Sequence, residues 1–93
     1  MIYVDEIMEY PSGKWCHMAT DGCLEELHAF ALQLGLKRSW FQNKPRHPHY
    51  DLRVSKRILA IQRGATAVES SELIKRCFHK AEQNNVRQAN FNP

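Results

Sequence analysis

Apolar positions along this chain fall into two kinds of pattern, short β-rich runs and stripes at helical spacing, and each predicts an element. Ile2-Tyr3-Val4-Asp5 starts with β-branched and aromatic residues and ends on an acid, which reads as a short strand. Glu6 to Lys14 is expected to be a loop, punctuated by Pro11-Ser12-Gly13. Trp15-Cys16-His17-Met18-Ala19 reads as a second strand whose pleat sends Trp15, His17 and Ala19 to one face and Cys16 and Met18 to the other. Asp21 is placed to cap a helix, with Glu25 and Glu26 in the first turn where carboxylates favour the helix dipole. Leu24, Leu27, Ala31 and Leu34, with Phe30 beside them, form its apolar stripe. Gly35 then supplies a left-handed C′ residue, and Leu36 the apolar contact that follows it.

Leu36 to Phe41 is expected to form a third strand. Gln42 to Val54 reads as a long polar or partly extended segment, which Pro45 and Pro48 exclude from a central strand or a helix. Ser55 is expected to cap a short helix over 56–63, ended by Gly64. A strand is expected over 65–69, and Ser70 or Ser71 opens a last helix burying Leu73, Ile74, Cys77, Phe78 and Ala81. Strands alternating with helices through tight Gly exits predict an α/β fold, a small three- to four-stranded parallel or mixed sheet flanked by about three helices. Residues 1–82 form the single domain, and 83–93, with four Asn and little apolar content, a polar tail.

The 93 residues suffice for one modest core. A chain 43% apolar is not intrinsically disordered. No apolar run approaches the roughly 18 residues of a membrane span, and the acidic start lacks the basic and apolar regions of a signal peptide. Three cysteines without CxxC spacing (Cys16, Cys23 and Cys77) read as free thiols of a reducing cytoplasm. A core this small is compatible with a homodimer.

Charge is unevenly placed. Residues 1–36 hold Lys14 against Asp5, Glu6, Glu9, Asp21, Glu25 and Glu26, a net of −5. Residues 37–63 hold Lys37, Arg38, Lys44, Arg46, Arg53, Lys56, Arg57 and Arg63 against Asp51, a net of +7. Trp40, Phe41, Tyr50, His47 and His49 are interleaved with this basic block, which suits an anionic partner. The alternative is a solvated face that pairs with the acidic first third.

The densest chemistry is His47-Pro48-His49-Tyr50-Asp51. Extended, it aligns His47, His49 and Asp51 on one side. Two imidazoles and a carboxylate can take a divalent metal (Mg, Mn or Zn), or they can supply a general base, a donor and an orienting acid. His17 is a mid-strand imidazole, either half-buried or poised in a site, and His28 is expected to pack structurally. In open α/β sheets ligands bind beyond the carboxyl ends of parallel strands. That rule would gather Asp5, Glu6, Thr20, Asp21, the 42–51 segment and residues 69–71. No Walker, GxGxxG or GxSxG motif is present.

Taken in order, Tyr3-Val4-Asp5, Trp15-Cys16-His17-Met18, Asp21, Glu26-Leu27-His28-Ala29-Phe30-Ala31, Leu34-Gly35-Leu36, Phe41-Gln42, His49-Tyr50-Asp51, Ala60-Ile61 and Gly64-Ala65 resemble a small bacterial and phage family. It is catalogued only as domain-of-unknown-function family number 4031, and the resemblance covers roughly residues 2–69. It implies Asp5, His17, Asp21, His28, Gln42, His49, Tyr50 and Asp51 as candidate site positions. Phage-type members imply a role against host factors, such as capturing a nucleotide signal in the host cytoplasm.

The expectation is therefore an α/β module holding a phosphate-bearing, nucleotide-like ligand. His17, His49 and Asp51 are the catalytic candidates. Arg38, Lys56 and Arg57 would neutralise phosphate, while Tyr50, with Trp40 or Phe41, would stack on a base and Gln42 would add a polar contact. The first alternative is a metal-dependent phosphodiesterase or nuclease with Asp5, His49 and Asp51 as ligands. The second is a basic module docking on nucleic acid or an acidic protein.

Overall fold

The computed structural model describes residues 1–78. The elements, in chain order, are β1 (Ile2–Val4), β2 (Met8–Tyr10), β3 (Gly13–Thr20), α1 (Leu24–Gln33), β4 (Tyr50–Leu52), α2 (Val54–Gln62), β5 (Thr66–Ala67) and α3 (Ser70–Leu73). A π-helical turn, Ile74–Phe78, continues α3. This is an α/β fold with a five-stranded mixed sheet. The expected tail, 83–93, and Ala81 lie outside the described residues.

β3 is the centre. The hydrogen-bonded path runs β2-β3-β1-β5, with β4 joining β3. β1, β2 and β4 are all antiparallel to β3, and only β1 and β5 run parallel. Met18 pairs with both Val4 and Tyr50, so β1 and β4 lie on opposite edges of β3. The pleat separates two cores. Val4, Cys16, Met18, Tyr50 and Leu52 pack on one face against Leu27 and Ala31 of α1, its C-cap Leu34, and Ala60 of α2. Tyr3 and Ala19 pack on the other against Leu73 and Cys77. Burial in these cores pushes the Cys16 and Cys77 thiols up to about 12, so neither is a ready nucleophile.

Both predicted glycine exits form. After α1, Leu36 N–H donates to Ala31 C=O and Gly35 N–H to Leu32 C=O, with Gly35 at φ 81°. After α2, Ala65 and Gly64 make the same pair of bonds to Ala60 and Ile61, with Gly64 at φ 113°. Both are Schellman closures.

Other expectations are corrected. Residues 6–14 are not a loop: Met8–Tyr10 pairs with β3 as a hairpin around Pro11-Ser12. Leu36 to Phe41 is not a strand. Arg38–Trp40 is a 3₁₀ turn closed by Trp40 N–H to Lys37 C=O, and residues 37–40 are all exposed, so no buried face holds them in the sheet. The 42–54 segment contains β4, which Pro45 and Pro48 precede, and β4 pairs with β3 alone. Asp21 does not cap α1. Cys23 holds that position without a side-chain bond, and Asp21 instead meets the Met1 ammonium at 2.9 Å. Ser55 lies inside α2, whose N-cap is Arg53, and the N-cap of α3 is Glu69.

Candidate metal centre

Adjacent strands align one titratable side chain each across the face that α3 covers. Asp5, just past β1, donates its N–H to His17 C=O at 3.1 Å, and His17 pairs with Asp51 of β4. His49, two residues before Asp51, falls on the same face by strand alternation. The pairing register slips by one between β1 and β2, so Glu6 and Ile7 stand opposite Cys16 alone, a β-bulge.

The bulge changes what Asp5 does. His17 N–H donates not to the Asp5 carbonyl but to its carboxylate Oδ1 at 2.6 Å. The freed Asp5 carbonyl accepts from Arg57 Nε at 2.7 Å. Asp5 Oδ2 accepts from His17 Nδ1 at 2.8 Å and from Ser70 Oγ at 3.1 Å. This buried carboxylate, 1% exposed, is thus fully engaged. Burial alone would raise its pKa, but the two bonds from His17 and the one from Ser70 hold it below the ordinary carboxylate range. The same Asp5 bond outweighs burial at His17 and raises the imidazole.

The tautomers follow from the partners. A carboxylate and a carbonyl can only accept, so Nδ1 of each imidazole carries its proton: His17 towards Asp5, and His49 towards the His47 carbonyl at 2.7 Å. Nε2 of each ring then points away from its Nδ1 partner and is the atom that would meet a ligand. His49 Nε2 lies 3.3 Å from Asp51 Oδ1, and that contact is the main reason the Asp51 carboxyl sits below its ordinary range. The two imidazoles meet edge to face with centroids 5.0 Å apart. His17, His49 and Asp51 bring one ligating atom each within 4.8 Å of one another. Two imidazoles and one carboxylate, with a carboxylate and a carbonyl fixing the rings from behind, form a donor set suited to a divalent transition metal.

Three cavities adjoin this cluster. One of about 500 Å³ is lined by His17, His49 and Asp51 with Tyr10, Ser12 and Trp15. A second, about 410 Å³, lies between Asp5 and His17 and the Leu73, Ile74 and Phe78 side chains, with Arg46 and His47. A third, about 500 Å³, shares Trp15 and Asp51 with the first and extends to Trp40, Gln42 and Arg53.

A family model described as a protein of unknown function, DUF4031, matches residues 2–80. The chain belongs to that family. No curated protein and no solved structure matches the chain. The DUF4031 match spans every residue of the cluster, from Asp5 to Asp51.

The structure distributes the sequence candidates unevenly. His17, His49 and Asp51 converge, and Asp5 stands behind His17 with both oxygens committed, not beside His49 and Asp51 as a ligand. His47 stacks on His49 with rings 5.8 Å apart, as the extended pattern implies. Tyr50, expected to stack on a base, is buried among the helices at 1% exposure, and its hydroxyl meets His28 Nδ1 at 2.9 Å. The Tyr50 ring therefore does not reach a ligand, and Phe41, half-buried against the same core, packs edge to face on His28. His28 has the packing role expected of it. Burial, and secondarily the Arg38 charge, lowers its pKa. Arg38 therefore acts near His28 and Tyr50, on the helix-covered side.

Lys56 donates to Leu34 C=O at 2.6 Å, closing the end of α1, and Arg57 holds Asp5. Trp40 and Gln42 line the third cavity. Thr20 and Asp21 do not join the site. β3 runs antiparallel to β1, so its carboxyl end lies beside Met1, at the opposite end from Asp5. Sequence reasoning missed Trp15 and Arg53, whereas Ser70, gathered with Asp5 by the strand-end rule, does reach the Asp5 carboxylate. The strand pleat, which puts Trp15 on the face of His17, was the available signal for the first. Among the described residues no helix is long and apolar enough to cross a membrane.

Proposed function

We propose that this domain holds a divalent transition metal on His17, His49 and Asp51, and that the metal binds and hydrolyses a phosphate-bearing ligand. The convergence of the three ligating atoms within 4.8 Å, with each imidazole Nδ1 tied to an acceptor, carries this reading. Nitrogen donors favour zinc or manganese over magnesium, which prefers all-oxygen shells. Three protein ligands leave coordination positions open, and a metal there would lower the pKa of a bound water towards neutrality. Held by His17, His49 and Asp51, such a metal would supply a hydroxide equivalent for hydrolysis of a phosphate ester, with the leaving group protonated by solvent.

The chain's own contribution is positional. Asp5 fixes the His17 ring and strengthens its Nε2 as a donor, and the His47 carbonyl does the same for His49. Metal-free capture of an anion is less well supported, because two of the cations expected to meet phosphate, Lys56 and Arg57, are committed to backbone carbonyls. The same commitment weakens the reading of the basic block as a free docking face.

Calorimetric titration of the chelator-treated protein with Zn²⁺ and Mn²⁺ tests the centre. One equivalent should bind the wild type, with binding lost in His49→Ala and Asp51→Asn variants that retain the wild-type circular dichroism. Turnover of bis(p-nitrophenyl) phosphate should appear with the metal and disappear in the same variants. Absence of stoichiometric binding by either metal overturns the proposal. Binding without turnover reduces it to metal-assisted capture.

A further inference from the structure

Beside the metal centre, and sharing Asp51 with it, lies the third cavity, and its lining is of a different kind. Trp15, Trp40 and Leu36 give it aromatic and aliphatic walls, and Gln42, Ser39 and Ser55 add hydrogen-bonding groups. At about 500 Å³ it falls within the usual range of small-molecule sites. Trp40 is 49% exposed, a large indole presented to solvent at the cavity. The Arg53 guanidinium lies on the Trp15 ring, 4.2 Å from its centroid, and makes no ion pair among the described residues. A guanidinium stacked by its face keeps its edge N–H groups for an anion.

We infer that this cavity receives a planar heteroaromatic ring, so that the phosphate-bearing ligand of the adjacent centre is a nucleotide. The inference rests on the proposed metal centre for its phosphate end, and on the cavity alone for its ring end. Indole faces stack on any nucleobase without reading its sequence-specific edge. The Gln42 amide can pair with a base edge through both its donor and its acceptor. Phosphate would lie between Arg53 and the His17/His49/Asp51 cluster, since Trp15 and Asp51 belong to both cavities. The aromatic contact expected of Tyr50 thereby passes to Trp15.

The chain has two tryptophans, Trp15 and Trp40, and both line this cavity, so intrinsic fluorescence reports on it directly. AMP, GMP, CMP and UMP are titrated into chelator-treated protein, with ribose 5-phosphate as the ring-free control. Saturable quenching by the nucleotides, much weaker response to ribose 5-phosphate and an affinity loss of about tenfold in Trp40→Ala are expected. Equal affinity for ribose 5-phosphate, unchanged affinity in Trp40→Ala or no response to any of the four nucleotides overturns the inference. Calorimetric zinc binding is followed separately. Zinc binding without a nucleotide response removes the ring site and leaves the metal centre, whereas a nucleotide response without zinc binding does the reverse.

Discussion

Asp5 grips His17 twice, once at the backbone and once at the imidazole, and the bulge that follows makes this possible. An ordinary ladder would give the His17 N–H a carbonyl partner. Here the carboxylate takes that bond and the carbonyl goes to Arg57. Asp5→Asn preserves size but not the acceptor pair, since one of its two side-chain atoms becomes a donor. Zinc affinity should fall about 10- to 100-fold, as for other outer-shell partners of metal-bound histidine, and calorimetry reads this directly. An unchanged affinity would mean that the Asp5 bond does not orient the ring. On the opposite face, Tyr50→Phe removes the hydroxyl that meets His28 and should cost about 0.5–1.5 kcal/mol in urea denaturation, with zinc binding unchanged.

His28 also carries a pH signature. Its pKa is lowered from the ordinary value of 6.5, chiefly by burial. A lowered imidazole contributes stability that is fully present above 6.5 and is lost as pH falls through the depressed folded value. His17, which is raised, acts in the opposite sense, with stability present below its ordinary value and lost as pH climbs through the folded one. The His28 contribution is therefore read as a difference. The gap in urea midpoint between wild type and His28→Gln should narrow as pH drops from about 7 to about 5. A constant gap would show that His28 titrates alike in both states.

At the scale of elements, the features legible in the sequence are those set by local chemistry. Gly35 and Gly64 announce the ends of α1 and α2, because left-handed φ angles are cheap for glycine alone. Gly35→Ala tests the first. The backbone sits at φ 81° and a Cβ would come within 3.4 Å of Lys56 Nζ, the group that closes α1. A loss of about 1 kcal/mol in a urea melt is expected; a gain would show that the unfolded-state entropy of glycine outweighs the strain. β2 was illegible for the opposite reason. Met8, Glu9 and Tyr10 are all exposed, so no buried alternation marks them, and pairing with β3 alone makes them a strand. β4 has only three residues and follows two prolines. Its Tyr50 and Leu52 are buried by a neighbour more than thirty positions away in the chain. The site divides in the same way. His49 and Asp51 are visible as a period-two pattern, whereas His17 and Asp5 join them only through strand direction and register, which are long-range properties.

In the whole molecule the cluster ties strands together. His17 comes from β3, Asp51 from β4, His49 from the segment leading into β4, and Asp5, behind them, from the end of β1. Unfolding separates all four, so a metal on the cluster binds the folded state far better than the unfolded chain and must stabilise it by mass action. At a free concentration 100-fold above the dissociation constant the gain is about 2.7 kcal/mol. In a domain of this size each kcal/mol moves the melting temperature by about 4–8 °C, which gives a rise of roughly 10 °C or more with Zn²⁺. His17→Ala and His49→Ala should each melt at the same temperature with and without the metal, and excess chelator should return the wild type to its metal-free melting point. The effect should also be local in origin. Trp40→Ala, on the far side of the neighbouring cavity, should keep the full zinc shift because it supplies no ligand. If zinc instead raised the melting point of His49→Ala as much as that of the wild type, the stabilisation would come from elsewhere, and the strands would not be joined through this cluster.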